Sequence, residues 1–378
     1  MKLHPFEMER WQSTWENQVK YNLSESGVHP LRVGEILDGN EHELLSQSLG
    51  YSQTNGTPSL RGLIAAIYDD ATPNDILVTN GSSEANFLAL WTLLERNCEI
   101  AVMFPNYMQV AGLAKTLQAR VRPFWLKERQ GKWILDIATL KKKTRKRTKV
   151  IAVCNPNNPT GATLNAETID DICAIARKTG AWILSDEVYR GAEISGKETP
   201  TFWNRYDKVI INSGLSKAYG LPGLRLGWIV TKKSATKLWA YHDYTTIGPN
   251  AISDYLAQKV LQPDTRAKIL SRTRKIINEN LAVVTNWVSL HGKYLSFVPP
   301  KAGAIALVKY AFKVNSTEIA ERLLKEESTL VVPGDHFRMD HYLRLGFGNT
   351  QDNLSGGLTR VGNLLTKLAN KYDYDPTG

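Results

Sequence analysis

The sequence predicts an α/β protein, with a doubly wound, mostly parallel sheet in a large domain and a smaller α+β domain built from the C-terminus and the N-terminal segment. Three observations predict it. Short apolar runs alternate with helical patterns through Val230, as buried parallel strands and their crossover helices do. A long polar helix then separates this region from a second group of strands. With 378 residues, the chain can bury a core of that size.

The strand-like runs of the large domain are Ile76–Thr79, Glu99–Phe104, Val121–Leu126, Val150–Cys154, Ala181–Asp186, Lys208–Asn212 and Leu226–Val230. Helical patterns lie between most of them, including Ala166 to Lys178 and a short one from Ile137 to Leu140. The long helix is expected from about Thr265 to Val288. Beyond it, Ala304–Lys309, Leu330–Val332 and Tyr342–Phe347 read as strands, with helices starting at Thr317 and Gln351. The expected divisions are residues 1–30, a segment packing on the small domain and the substrate site, then 31–277 and 278–378. Internal repeats, low-complexity tracts and flexible linkers are not evident.

Cys98, Cys154 and Cys173 are scattered in apolar segments, without a disulfide framework or metal-ligand spacing. This predicts a reducing, cytoplasmic setting and no metal. The start from Met1 to Trp11 has no apolar secretory core. No stretch approaches the roughly 20 apolar residues of a membrane span. Much of the net charge of +10 lies between Lys141 and Lys149, where no aromatic residue could stack on a base. That run reads as a solvated connection rather than a nucleic-acid site, with an acidic partner surface as the alternative.

Four motifs carry chemistry. Lys217 follows the apolar run Val209–Asn212 and opens a small-residue turn, with Arg225 eight positions on. A lysine ending a buried strand loses part of its charge to desolvation and can form a Schiff base. Neighbouring hydroxyls and an arginine suit a phosphate. The segment Thr79–Ala85 follows a strand and opens a helix, whose free amides bind anions. Between Cys154 and Gly161, prolines and asparagines fix a rigid loop that presents a side-chain amide. Finally, the strand from Trp182 ends in Asp186, three residues before Tyr189; a buried Asp suits a protonated pyridine nitrogen.

In this order, each at a strand end, the motifs resemble those of the fold-type-I pyridoxal-phosphate (PLP) enzymes of the class I/II aminotransferase superfamily, over nearly the whole chain. The resemblance implies pyridoxal 5′-phosphate as cofactor, a small amino-acid substrate and a homodimer. It makes Lys217 the Schiff-base lysine and Asp186 the partner of the ring nitrogen. Tyr189 and Asn158 would donate to the cofactor's 3-oxygen, and Tyr107 would stack on the ring. Ser82, Ser83, Ser216 and Arg225 would hold the phosphate, together with Tyr51 from the neighbouring subunit. Arg344 would grip the substrate α-carboxylate. One departure is visible: many relatives carry a hydroxyl where this chain has Gly214, a place that Ser213 could fill.

The same cofactor supports transamination, elimination, cyclisation and oxidation, so the reaction depends on residues outside this frame. In the superfamily the Gly27 region lies over the substrate, which makes Gly27, Val28 and His29 expected contacts. A histidine there could shuttle protons near neutral pH. The stretch Ser26–His29 resembles that of the capreomycidine synthases, PLP enzymes that cyclise a hydroxylated arginine. The pair Trp15-Glu16 followed by a histidine resembles the PLP-dependent arginine oxidases and hydroxylases, and both groups carry an Asp resembling Asp243. Glu16 and Asp243 could together bind a guanidinium. The plain alternatives are a capped turn with a solvated His29, and an Asp243 that caps the helix around Ile252–Leu261 or pairs with a surface lysine. The leading expectation is dehydration and cyclisation of a hydroxylated arginine, with Lys217 taking the α-proton and His29 assisting. Transamination with a keto acid is the second reading, and oxygen-dependent arginine oxidation the third.

Overall fold

The structure, a computed structural model, describes residues 5–372. Its eight-stranded sheet contains β2 (Ile76–Thr79), β3 (Glu99–Phe104), β4 (Arg120–Arg129), β5 (Lys132–Leu135), β6 (Thr148–Cys154), β7 (Trp182–Asp186), β8 (Val209–Gly214) and β9 (Gly227–Val230), following a short β1 (Tyr21–Asn22). The order across the sheet is β2-β9-β8-β7-β6-β3-β4-β5. The run from β8 to β4 is parallel, whereas β9 lies antiparallel to both β2 and β8, and β5 forms an antiparallel hairpin with β4.

Continuous apolar strands follow from burial on both faces. Leu77, Ile100, Val102, Val150, Ala152, Leu184, Ile210 and Ile229 form one core, packed with residues of the helices Ser82–Leu93 and Gln109–Thr116. Their neighbours in sequence, including Val78, Met103, Ile151, Ile183 and Ile211, belong to the core on the other face. Side chains alternate across a strand, so both registers must be apolar. Crossover helices are set by local signals. The helix Ala166–Thr179 starts where the Asn165 side chain accepts from Thr168 N at 2.9 Å, and ends at Gly180 with φ 74°. Its buried residues Ile169, Ile172, Cys173 and Ala176 make one stripe.

A second sheet, β10 (Leu295–Phe297), β11 (Ile305–Tyr310), β13 (Val332–Pro333) and β14 (Tyr342–Gly346), is antiparallel throughout in the order β10-β11-β14-β13. The helix Pro263–Leu290 leads into it. The N-terminal segment reaches this region through β1, which pairs in parallel with β12 (Thr329–Leu330). Trp11 Nε1 also donates to Val331 O at 2.8 Å. The protein is thus an α/β fold, with a large mostly parallel sheet and a smaller antiparallel one.

The expected strand from Leu330 to Val332 is two short strands with different partners. The helix Glu7–Trp15 and the strands β5 and β10 were not expected. Asp243 does not cap the helix Ala251–Val260; Asn250 does, accepting from Ser253 N at 3.1 Å. Among the described residues no helix is long and apolar enough to cross a membrane.

Candidate active site

Strands β6, β7 and β8 end side by side, at Cys154, Asp186 and Gly214. Beyond these ends a cavity of about 540 Å³ opens, walled by loops of the large sheet, by Arg344 of β14 and by the N-terminal helix. The structure brings Glu16, Ser82, Ser83, Tyr107, Asn158, Asp186, Tyr189, Ser216, Lys217, Arg225 and Arg344 to its walls.

One end is built for an anion. Ser82 and Ser83 begin the helix Ser82–Leu93, whose first amides have no intrahelical acceptor. Arg225 faces them in a left-handed turn, φ 46°, and no carboxylate pairs with it among the described residues. Two glycines allow this approach. A Cβ on Gly81, whose φ is 91°, would meet Arg225 Nη2 at 2.5 Å, and one on Gly227 would meet Ser82 N at 2.6 Å. Gly214 is equally constrained, since a Cβ there would come within 2.9 Å of Leu226 O. Ser213 does not take over a phosphate-facing role: its buried hydroxyl donates to Glu187 O at 3.3 Å.

Asp186 is a buried anion without a cation. It accepts from Val188 N at 3.2 Å and from Asn86 Nδ2 at 3.4 Å. Burial outweighs these bonds and pushes its pKa up to about 6. Nearby, the Tyr189 hydroxyl donates to Ser26 Oγ at 2.8 Å, and burial pushes that phenol up to about 12. The Tyr107 hydroxyl donates to Glu9 Oε1 at 2.8 Å.

Lys217 differs from the sequence expectation. Burial does disfavour its ammonium, but Nζ lies 2.6 Å from Glu25 Oε1. The Glu25 charge, the Tyr189 phenol and this hydrogen bond outweigh burial, so the lysine pKa is raised, not lowered. Glu25 is correspondingly held down at about 2, mainly by the Lys217 charge.

Arg344 is 1% exposed, and no carboxylate of the described residues pairs with it. Its guanidinium donates to Asn158 Oδ1 at 3.0 Å, to Gln12 Oε1 at 3.4 Å and to Ser24 O, while Nε has no partner. A buried, incompletely satisfied guanidinium at a cavity wall is suited to a carboxylate ligand.

Other expected residues lie elsewhere. His29 does not line the cavity. Its Nδ1 is 2.9 Å from Arg272 Nη2, which also donates to the His29 carbonyl at 3.1 Å. Burial and the Arg272 charge both hold this imidazole below its ordinary pKa. Arg272, on the long helix, therefore draws the ring away from the expected proton-transfer position. Asp243 is exposed at the C-terminal end of the helix Ala235–His242, so it does not join Glu16 in this cavity. Val28 is buried against Gly220. Gly27 does lie beside the lysine: a Cβ there would be 3.6 Å from Lys217 Cδ. Tyr51 is 93% exposed and lines a separate surface pocket with Thr246 and Pro249.

Glu25, Glu9 and Gln12 also line the walls and were not among the expected site residues. Glu25 precedes Gly27 by two residues, in the segment expected over the substrate, which was the available signal. Glu9 and Gln12 belong to the unexpected N-terminal helix.

The donor set fits PLP: an anion site for the phosphate, an amine for the aldehyde, and a desolvated carboxylate for the ring nitrogen. A model of the class I and II aminotransferase family matches residues 27–361. The chain belongs to that family; it is an enzyme, and its cofactor is pyridoxal 5′-phosphate. It is 28% identical over 360 residues to a capreomycidine synthase of Streptomyces vinaceus, covering 94% of this chain and 92% of that one. A PLP-dependent aminotransferase from Streptococcus suis superposes with a TM-score of 0.91 at 33% identity, covering 99% of this chain and 100% of the other. The PLP-dependent cyclase OrfR superposes with a TM-score of 0.88 at 26% identity, over 98% and 99% of the two chains.

Proposed function

We propose that this enzyme acts on the α-amino group of a free, cationic L-amino acid, and that its reaction is dehydration and cyclisation of a hydroxylated arginine. The observation that carries the reading is the carboxylate content of the cavity. Glu9, Glu16 and Glu25 all reach its wall, although a PLP pocket already needs cations for the phosphate and the substrate carboxylate. Burial and the charges of Glu25 and Glu9 raise the Glu16 pKa, which marks Glu16 as an anion in want of a cation. A guanidinium, planar and weakly hydrated, meets that need. The likeness to capreomycidine synthase and to OrfR supports the same class of reaction.

In this reading Arg344 holds the substrate α-carboxylate and Lys217 takes the α-proton. The bound cofactor supplies the electron sink that makes this proton labile and the β-substituent able to leave. Ser82, Ser83, Ser216 and Arg225 hold the phosphate, Asp186 keeps the ring nitrogen protonated, Asn158 and Tyr189 hold the 3-oxygen, and Tyr107 covers the ring. Glu16 positions the guanidinium, without Asp243 or His29.

Incubation with arginine and with 3-hydroxyarginine, each with and without a keto acid, followed by mass analysis of the products, tests the proposal. Loss of water from 3-hydroxyarginine without a keto acid is the expected result. Efficient transamination of small or acidic amino acids, with guanidino substrates ignored, would overturn it. That second reading, an aminotransferase, is favoured by the 33% identity to the Streptococcus suis aminotransferase. Glu16→Ala is expected to raise KM for an arginine-like substrate about tenfold to a hundredfold, the loss of a charge-assisted hydrogen bond of roughly 1.5–3 kcal/mol. KM for a small neutral amino acid should barely move.

The reading includes a homodimer. Tyr51, 93% exposed and outside its own cavity, neighbours the exposed Leu49, 84%, on a surface suited to a second copy. Mixing inactive Tyr51→Ala and Lys217→Ala chains is expected to restore part of the activity, because hybrid dimers regain one intact site. A fully active monomer in light scattering would contradict it.

A further inference from the structure

Glu25 is placed by its backbone rather than by chance side-chain contact. Its Oε1 accepts from Ser26 N at 2.8 Å and from Gly27 N at 2.9 Å, and the same oxygen meets Lys217 Nζ at 2.6 Å. Two amides of a tight segment thus aim one carboxylate oxygen at the amine. The segment itself is clamped. Gly346 and Gly348 press against it so closely that a Cβ on either would come within 2.0 Å of the Glu25 or Gly27 carbonyl oxygen.

We propose that Glu25 is a catalytic residue, the carboxylate that governs the protonation of Lys217 during proton transfer. The inference rests on Lys217 being the reactive amine. Before reaction, the lysine must be neutral at nitrogen; Glu25, held ionised 2.6 Å away, does not take that proton but sets how tightly Nζ holds one. During the chemical step the substrate Cα–H bond breaks, an N–H bond forms at Nζ, and the electron pair stays with the substrate–cofactor system. The new ammonium is then formed 2.6 Å from a carboxylate already in place. Opposite charge at that distance favours the protonated amine and makes Lys217 a stronger base than an isolated buried lysine. The proton is returned from Nζ to substrate or product, so the step balances without a further reactant.

The test is Glu25→Gln. Glutamine keeps the side-chain oxygen for the Ser26 and Gly27 amides, so the segment holds its shape while the charge is lost. The first readout uses cofactor-free protein: competitive acetylation across a pH series, with Lys217 followed by peptide mass. Near neutral pH, Lys217 should be labelled about tenfold or more faster in the variant than in wild type, because the ammonium has lost its partner. The second is the pH profile of the chemical step, whose limb for the lysine should move in the same direction, with slower α-proton exchange. PLP binding and the circular dichroism spectrum report that the variant is folded. An unchanged Lys217 labelling profile overturns the proposal. So does a rise in KM for cationic substrates with labelling unchanged, which would make Glu25 a substrate contact alone. Failure of the lysine assignment itself reads differently: Lys217→Ala would still form a borohydride-reducible link to PLP.

Discussion

Lys217→Ala is expected to abolish turnover, by about four orders of magnitude or more, because a nucleophile and a proton acceptor are lost in one atom. Among the described residues the amine is the only lysine nitrogen at the cavity wall, beside Asp186 and Tyr189. No neighbouring side chain combines these two roles: a guanidinium such as that of Arg344 offers only donors, and the Tyr189 phenol is pushed up to about 12. The variant should bind PLP through the phosphate site, without a borohydride-reducible link and without the visible band of the wild type. A reducible link in the alanine variant would assign the chemistry to another lysine. The substitution also strands Glu25. The wild-type pair stabilises the fold above the ordinary glutamate pKa of 4.5, and that contribution is lost as pH falls towards about 2. The variant should lack this acid-range increment, so its melting temperature should change less between these two pH values.

Residues whose role depends on local sequence were legible, and those that depend on distant contacts were not. Asp186, Lys217, Ser82 and Asn158 stand at the ends of apolar strands or the starts of helices. Strand ends of a parallel sheet converge, so the motif order alone placed these side chains on one cavity. The extent of strands such as Ile76–Thr79 and Glu99–Phe104 was equally legible, because burial on both faces demands an unbroken apolar run. The antiparallel direction of β9 was not, since an apolar run reads the same in either direction. The helix Glu7–Trp15 was missed because it buries Met8 and Gln12 rather than an apolar stripe. His29 and Lys217 were misjudged for one physical reason. Each acquires a charged partner from far along the chain, Arg272 and Glu25, separated by 243 and 192 residues. Such a partner draws the His29 ring away from the site and reverses the direction of the lysine pKa shift.

Asp186→Asn is expected to act in opposite directions on stability and on activity. In the cofactor-free protein the carboxylate is buried, and no cation of the described residues pairs with it. Its pKa rises from the ordinary 3.8 to about 6, which corresponds to about 3 kcal/mol. A raised carboxylate pKa means that the folded state holds the proton more tightly than the unfolded state. Stability is therefore undiminished below pH 3.8, falls as pH rises through this window, and stays reduced above about 6. Asparagine is neutral and can still accept from Val188 N through Oδ1. The cofactor-free variant should match wild type near pH 4 and melt higher above pH 6, which a pH series of thermal melts would show. With PLP bound the sign reverses. The wild-type carboxylate gains the ring N–H as its ionic partner, and losing such a buried pair costs about 3–5 kcal/mol. Turnover should then fall about a hundredfold to several thousandfold, and PLP should stabilise the variant less than wild type. Near-wild-type turnover would show that another group holds the ring nitrogen. Superimposable cofactor-free melts across the series would show that the carboxylate is solvated, and that the burial of Asp186 does not prepare it for a cation.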